Sequence, residues 1–412
     1  MVAQAQESQQ SLTKDDRMSS LIASLRPTAQ MSPVSGIVEV FNYGRTREGL
    51  IPLWAGEGDT PTPPVICDAA TKSLSDGETF YTYQLGIPPL REALAEYFQG
   101  LYERSFVADE FFVTCGGMHA IQLAMQLTVG PGDEVVLLSP AWPNFAGAAI
   151  IQGATLNYVA LEHGDAGWTL DLDKLFDACS EKTKVLVINS PANPSGWTAS
   201  DAELRAILDF ARAKGLWVIA DEIYGRFHYD EQSPGSLAPS FQTIRDPDDR
   251  ILFVQTFSKN WAMTGWRIGW IQGPAELGQI VENHIQYNTS GVAPFMQRAG
   301  IAALKNATDF AQGQVDRAVE GRRIVCDTLD RFPNVRFKRP AGAFYAFFSI
   351  DGHEDSMATA FRMVDEANIG LAPGSAFGPG AEAFYRICYL RSADGLSEAM
   401  QRLGRWLEKQ NA

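Results

Sequence analysis

Ser258 and Lys259 directly follow an apolar run, in the stretch Thr256-Phe257-Ser258-Lys259. An exposed lysine has a pKa of about 10.4 and is a poor nucleophile, because nearly all of it is protonated. Burial and a second cation, Arg267, would favour the neutral amine and fit Lys259 for covalent catalysis. The alternative is an ordinary solvated lysine in a loop.

Three earlier apolar runs also end in residues that carry useful chemistry. One run ends at Ser139, with Trp142 shortly after it, the next ends at Asn189, with Asn193 shortly after it, and the third ends at Asp221. In open α/β sheets, ligands collect at the carboxyl ends of the strands. We therefore expect these side chains and Lys259 to meet at one edge of a sheet.

One cofactor, pyridoxal 5'-phosphate, would use these residues together. Its aldehyde needs an amine, its pyridine nitrogen needs a carboxylate, and its 3'-oxygen needs hydrogen-bond donors. The residues that fill these roles, in order, are Lys259, Asp221, and the pair Asn193 and Tyr224. A buried carboxylate without a partner is costly, so pairing with a pyridinium would explain why an aspartate stands at position 221. The alternative for Asp221 is a cap on a following helix.

The cofactor phosphate needs amides, hydroxyls and a cation. Thr114-Cys115-Gly116-Gly117-Met118 is typical of a strand that runs into a glycine-rich turn and a helix, whose N-terminus binds anions. Arg267 and the hydroxyls of Thr256 and Ser258 would add charge-assisted hydrogen bonds. Trp142 would lie on the pyridine ring, with an ordinary core tryptophan as the alternative.

Arg386 lies inside the apolar run Phe384-Tyr385-Arg386-Ile387-Cys388. An arginine there is costly unless it meets an anion, and its planar guanidinium matches a carboxylate in two parallel bonds. We interpret Arg386 as the site of a substrate carboxylate. A buried structural ion pair is the alternative.

The composition indicates a globular protein that binds neither nucleic acid nor a membrane. The 412 residues are 45% hydrophobic and 20% charged, and the formal net charge is -15, which disfavours anionic partners. No metal site is visible, and the five cysteines show no C-x-x-C spacing, which fits a reducing cytoplasm. No apolar run reaches the length of about 18 residues that a membrane helix needs, and no signal peptide is visible.

Apolar runs alternate with stretches of helical spacing, which predicts a large α/β domain with a mostly parallel sheet flanked by helices. The runs cover residues 133–138, 184–189, 217–221, 251–256 and 268–272. A helix is predicted over 202–214, with Gly215 as its stop. We assign 1–16 to a polar, disordered tail, 17–62 to a segment that contributes to a small domain and the cleft, and 63–293 to the large cofactor-binding domain.

Residues 294–412 are predicted to form a smaller α+β domain. Its expected elements are a long helix over 294–331, a strand over 342–347, a helix over 357–367 and a strand over 384–390.

The chain resembles the class I pyridoxal-phosphate-dependent aminotransferases of the aspartate aminotransferase superfamily, fold type I. The resemblance runs from about residue 52 to the C-terminus. Its most specific motifs are Ser190-Pro191-Ala192-Asn193-Pro194-Ser195-Gly196, Asp221-Glu222-Ile223-Tyr224, and the segment from Ser258-Lys259 to Gly265-Trp266-Arg267-Ile268-Gly269.

The resemblance implies a role for each matching residue. For the cofactor it implies Lys259 as the Schiff-base lysine, Asp221 on the pyridine nitrogen, Asn193 and Tyr224 on the 3'-oxygen, Trp142 as the stacking ring, and Gly116, Gly117, Met118, Thr256, Ser258 and Arg267 around the phosphate. Gly56 and Arg386 would meet the substrate α-carboxylate, with Trp142 and Asn193 beside the substrate. Tyr81, or its rival Tyr83, looks like the family tyrosine that reaches the partner subunit's phosphate, which implies a homodimer with shared sites.

The sequence departs from the family pattern in two places, one at a phosphate contact and one that concerns specificity. Thr256 stands where the family most often has serine, and the hydroxyl is kept. The segment 286–294, which in many relatives approaches the neighbouring site, contains no arginine for a second carboxylate. A dicarboxylate substrate would need a cation from elsewhere, such as Arg45 or Arg47.

The resemblance implies ping-pong transamination, in which an L-amino acid gives its amino group to a 2-oxo acid, most plausibly 2-oxoglutarate, through the Lys259 Schiff base. The first rival is a lyase reaction such as β-elimination on the same scaffold. A cofactor-sensing regulator would need a DNA-binding domain, for which the polar tail is too short. A nucleotide-dependent dehydrogenase is disfavoured because no strand precedes G-x-G-x-x-G.

Overall fold

The computed structural model describes residues 21–165, 167–230 and 235–410. The predicted polar tail, 1–16, lies outside these residues. The architecture is α/β, with a large, mostly parallel sheet and a smaller antiparallel sheet. The predicted fold class is therefore confirmed.

Seven strands form the large sheet. All neighbours are parallel except Gly269–Gln272, which is antiparallel to both of its partners. Across the sheet the order is Phe111–Thr114, Gly269–Gln272, Ile251–Thr256, Trp217–Asp221, Thr183–Asn189, Glu134–Ser139 and Thr155–Ala160. The five predicted runs match their strands to within one residue. The edge strand Thr155–Ala160 was not predicted, because most of its residues are exposed or half-buried and it lacks an apolar run.

Alternate residues of the central strands enter two separate cores. Val135 and Val187 pack with the helices Gly117–Thr128 and Pro143–Gln152 on one face. Leu186 and its neighbours pack on the other face against helices such as Asp201–Lys214. Because both faces are covered, the strands are apolar throughout, which is the pattern that made them visible in the sequence.

Thirteen α-helices lie within the described residues. The predicted helix over 202–214 is Asp201–Lys214, with a capping box between Ser200 and Glu203 and Gly215 at φ 69° after its end. None of the described helices has the length and apolar character needed to cross a membrane. Their bounds are Pro27–Gln30, Gly36–Gly44, Pro64–Ser75, Pro88–Tyr102, Gly117–Thr128, Pro143–Gln152, Leu172–Asp177, Asp201–Lys214, Gly278–Gln286, Pro294–Asn306, Thr308–Leu329, Ser356–Ala367 and Ala393–Gln410.

The smaller sheet is antiparallel and carries Arg386 on a central strand. Its order is Val335–Phe337, Tyr345–Ile350, Phe384–Cys388 and Ala372–Pro373. Two further pairs occur, Ile51–Pro52 with Ile369–Gly370, and Glu162–Gly164 with Gly167–Thr169. The strand predicted over 342–347 begins three residues later, because Ala343 has φ 60° and forms a turn.

The single helix predicted over 294–331 is wrong, because two helices occupy this region. Pro294–Asn306 and Thr308–Leu329 are separated by Ala307, whose φ of -129° and ψ of 32° leave the helical range. The first helix packs among residues of the large body, whereas most of the second packs under the small sheet. The division of the chain at residue 293 stays a prediction.

Candidate active site

The carboxyl ends of the central strands open into a cleft of about 410 Å³. Most of the predicted site residues line it, and only Gly116 and Tyr81 do not. The lining members are Gly56, Gly117, Met118, Trp142, Asn193, Asp221, Tyr224, Thr256, Ser258, Lys259, Arg267 and Arg386. The structure therefore gathers in one place residues that are more than three hundred positions apart.

Lys259 follows the strand Ile251–Thr256 and points across the cleft. Its Nζ donates to the carbonyl oxygen of Gly56 at 2.7 Å. Burial lowers the pKa of Lys259 to about 8, and the charge of Arg386 adds to that lowering. The solvated-loop alternative is therefore wrong. The sequence analysis expected Arg267 to be the second cation that lowers this pKa, and this expectation is wrong, because that cation is Arg386. Arg267 Nη1 donates to the carbonyl oxygen of Thr264.

Asp221 ends the strand Trp217–Asp221 and is almost completely buried, with 1% of its surface exposed. Its Oδ1 accepts a hydrogen bond from the backbone N–H of Ile223 at 3.3 Å. Burial raises the pKa of Asp221 to about 7. No helix begins at this point, so the helix-cap alternative is wrong. A pyridinium at this place would satisfy the carboxylate and hold it ionised.

Asn193 and Tyr224 connect the cofactor side of the cleft to Arg386. Asn193 Oδ1 accepts from Arg386 Nη1 at 2.8 Å. The hydroxyl of Tyr224 lies 2.7 Å from that of Tyr345, which also lines the cleft. Sequence reasoning missed Tyr345, although it lies in an apolar stretch that was predicted to be a strand.

The glycine-rich turn and Arg267 form an anion cradle at the other end. Gly116 has φ 83°, and the helix Gly117–Thr128 starts directly after it. A Cβ on Gly116 would lie 2.7 Å from Arg267 Nη2, so only glycine lets the guanidinium come so near. Thr256 Oγ1 lies 2.9 Å from Ser258 Oγ and accepts from the Ser258 N–H. Amides at a helix start, two hydroxyls and a cation suit a phosphate.

Arg386 is buried without a carboxylate partner among the described residues. Its Nη1 and Nη2 donate to Asn193 Oδ1 and to the carbonyl oxygen of Trp54, and its Nε has no partner. The guanidinium carbon lies 4.6 Å from the ring centre of Tyr345 and 4.9 Å from that of Phe377. The ion-pair alternative is therefore wrong. A buried cation with an unused N–H is suited to an incoming carboxylate.

Gly56 and Trp142 complete the walls. A Cβ on Gly56 would lie 2.4 Å from the Tyr345 hydroxyl, so a side chain there would close the cleft. Trp142 is half-buried, and it packs edge-on against Phe145 at 5.8 Å while also lining the cleft. Trp142 therefore lies both in the cleft wall and against the core, and its role as the stacking ring stays a prediction.

Four residues named in the sequence analysis lie away from the cleft. Tyr81 is 94% exposed and Tyr83 is 62% exposed, so neither reaches the site of its own chain. Arg47 pairs with Asp365, and neither Arg45 nor Arg47 lines the cleft. A role of Arg45 or Arg47 towards a side-chain carboxylate therefore stays a prediction.

The residues present fit pyridoxal phosphate on structural grounds alone. A lysine of lowered pKa, a buried carboxylate and a glycine cradle beside an arginine occupy one cleft, as the amine, nitrogen partner and phosphate site require. Fold and site together define a fold type I, pyridoxal-phosphate-dependent enzyme.

The chain belongs to the family Aminotransferase class I and II, whose model matches residues 48–403. It is an aminotransferase, and the enzymes of this family use pyridoxal phosphate. The chain is 32% identical over 377 residues to an aspartate aminotransferase of Pyrococcus horikoshii, covering 91% of this chain and 95% of that one.

Two further similar proteins are also aminotransferases. A probable aspartate/prephenate aminotransferase of Aquifex aeolicus is 31% identical over 402 residues, covering 95% of this chain and 99% of the relative. A structure of a Thermus thermophilus aspartate aminotransferase mutant is similar with a TM-score of 0.85 and 30% identity, covering 92% and 99% of the two chains. Amino-acid transamination is the activity that these relatives support.

Proposed function

We propose that this cleft transfers the amino group of an L-amino acid to a 2-oxo acid, with 2-oxoglutarate as the first acceptor to test. The observation that carries the proposal is that Lys259, Asp221 and the unpaired Arg386 line one cleft. When bound, pyridoxal phosphate supplies an electron sink for the charge that leaves the substrate Cα.

Each residue has a separate task in this proposal. Arg386 binds the α-carboxylate through its free N–H, and the Gly56 backbone lets the substrate approach closely. Lys259 would hold the cofactor through its aldehyde, and its freed amine would take the proton that leaves the substrate Cα. A pKa of about 8 leaves part of this amine neutral near pH 7, as a general base requires.

The remaining residues bind and orient the cofactor. Asp221 would hold the proton on the pyridine nitrogen, and Asn193 and Tyr224 would donate to the 3'-oxygen. The turn at Gly116, Gly117 and Met118 would bind the phosphate together with Thr256, Ser258 and Arg267. Trp142 would cover the ring.

We also propose a homodimer in which Tyr81 completes the phosphate site of the partner subunit. Tyr81 is 94% exposed and lines a second cavity of about 380 Å³ together with residues 289–295. Mixing Lys259→Ala chains with Tyr81→Phe chains tests this arrangement. A hybrid has one site with both residues intact, so tight cofactor binding and activity should return on mixing. Unchanged activity after subunit exchange would show that the sites are not shared.

A cytoplasmic location belongs to the proposal as well. It is supported by the scattered cysteines of the sequence.

The proposal is tested by loading the protein with the cofactor and adding single amino acids without any oxo acid. We expect the visible absorbance band of the bound cofactor to disappear. About one 2-oxo acid should form per subunit, because one half-reaction consumes one cofactor. Continued release of ammonia and oxo acid with the band intact would show a lyase instead. Lys259→Ala should abolish the change, whereas Lys72→Ala, an exposed lysine paired with Asp76, should not.

A further inference from the structure

Every charged side chain that lines the cleft already has a task in the proposed function. Among the described residues they are Asp221, Lys259, Arg267 and Arg386. The proposed function uses Arg267 for the phosphate, Arg386 for the α-carboxylate and Lys259 for the cofactor aldehyde. No cation remains in the cleft for a second carboxylate on the substrate side chain, whichever wall that side chain meets.

The other lining side chains are uncharged. Ile37, at the first turn of the helix Gly36–Gly44, packs with the cluster that contains Trp54, whose carbonyl oxygen accepts from Arg386. Ile37 therefore lies on the carboxylate side of the cleft. Met118 and Asn144 form another part of the wall, with Asn144 Nδ2 lying 3.2 Å from Met118 Sδ.

A negative charge lies just outside the lining residues. Glu57 follows Gly56 directly, and its carboxylate accepts from Thr264 Oγ1 at 2.7 Å. Its charge also raises the pKa of Lys259, which shows that its field reaches the cleft. Of the two arginines named from the sequence, Arg47 is held by Asp365, and neither Arg45 nor Arg47 lines the cleft. An acidic substrate side chain would therefore lie in the field of an anion, with no free cation among the described lining residues of this chain.

We propose that the cleft selects amino acids with uncharged side chains, and that Ile37 is a residue that sets this selectivity. The proposal rests on the proposed function for its chemistry and narrows its substrates. A second carboxylate would lose its water without gaining a partner, which costs far more than burying an apolar or amide group. Because the same cleft takes the acceptor, a 2-oxo acid with a neutral side chain should be used better than 2-oxoglutarate.

Isosteric donors test the selectivity without a change in size. The cofactor-loaded protein is mixed with one amino acid at a time from two sets: glutamate, glutamine and methionine, and aspartate and asparagine. The second-order rate constant for the loss of the cofactor's absorbance band is measured. We expect at least about a tenfold higher rate for the neutral member of each set, since a desolvated carboxylate lacks a partner. Faster reaction of aspartate or glutamate would overturn the proposal, and would show that a cation from the partner subunit completes the site.

Binding of unreactive acids separates this proposal from the proposed function. If no amino acid changes the absorbance, the proposed function fails, and calorimetry with succinate and butanoate still decides the selectivity. Tighter binding of butanoate supports a cleft with one carboxylate site. Tighter binding of succinate, or no binding of either acid, overturns it.

A matched pair of variants tests Ile37. Ile37→Lys places a cation on the wall, whereas Val38→Lys adds the same charge at the next position, which is 51% exposed and does not line the cleft. We expect the ratio of the glutamate rate to the glutamine rate to rise at least about tenfold in Ile37→Lys and to stay unchanged in Val38→Lys. Equal ratios in both variants would exclude Ile37 as the residue that sets selectivity.

Discussion

The cofactor half and the substrate half of the cleft are assembled in different ways. In the cofactor half, Asp221 and Thr256 end neighbouring strands of one sheet, and Lys259 follows three residues later. In the substrate half, Arg386 on the small sheet meets the carbonyl oxygen of Trp54, 332 residues away in sequence. Sheet register fixes the first half, whereas the packing of distant segments fixes the second. Chemistry is therefore set by the sheet, and specificity by the segments that cover it.

Three contacts among the described residues join the halves, and one of them is the hydrogen bond from Lys259 to Gly56. Asn193 accepts from Arg386, and Tyr224 shares a hydrogen bond with Tyr345. A change on either side of these contacts tests how independent the two halves are.

The largest effect is expected in the cofactor half, from Asp221→Asn. The change is nearly isosteric but removes the carboxylate that we propose holds the ring nitrogen protonated, so the rate of the half-reaction should fall at least about 10²-fold. The rate is measured from the absorbance change with the best donor. Glu222→Gln is the control, because Glu222 is also buried but its carboxylate accepts from Ser240 and Phe241 outside the cleft. Equal losses in both variants would show that the strand end, and not the nitrogen partner, matters.

A smaller effect is expected in the substrate half, where two variants of Arg386 separate charge from shape. Arg386→Lys keeps the charge but loses the planar pair of donors, and Arg386→Met loses both. In each variant the KM of the amino acid should rise on the order of 10- to 100-fold, because a buried charge pair is broken.

The same two variants of Arg386 should differ in how the rate of cofactor loading depends on pH. The neutral amine of Lys259 reacts with the cofactor aldehyde, so the rate of cofactor loading should rise with pH, with a midpoint near a pKa of about 8. Arg386 lowers this pKa, so Arg386→Met should move the midpoint to higher pH, whereas Arg386→Lys should leave it near 8. An unmoved midpoint in Arg386→Met would mean that the two halves are electrostatically independent.

The same contrast explains what could be predicted from sequence. Residues of the cofactor half follow apolar strands within a few positions, so local pattern located Asp221 and Lys259. Arg386 was found because a charge inside an apolar run is unusual. Ile37 and Tyr345 were missed, because an apolar residue at a helix start and a tyrosine in a strand carry no local sign that they face a cleft.

Electrostatic effects were the least predictable. Arg267 was expected to lower the pKa of Lys259 because it lies eight residues further on in the sequence. The cation that lowers it is Arg386, from the other sheet. Distance in space, which depends on packing, decides such interactions.

The smallest effect is expected at the junction of the halves, from Tyr345→Phe. The change removes the hydroxyl that lies 2.7 Å from Tyr224 but keeps the ring that packs against Arg386. We expect kcat to fall less than about tenfold, as for one hydrogen bond, with the KM of the amino acid unchanged. Tyr389→Phe is the control, because Tyr389 is a buried tyrosine that does not line the cleft. A rise in KM at constant kcat would place the Tyr345 hydroxyl in the substrate half alone, and its contact with Tyr224 would then not couple the two halves.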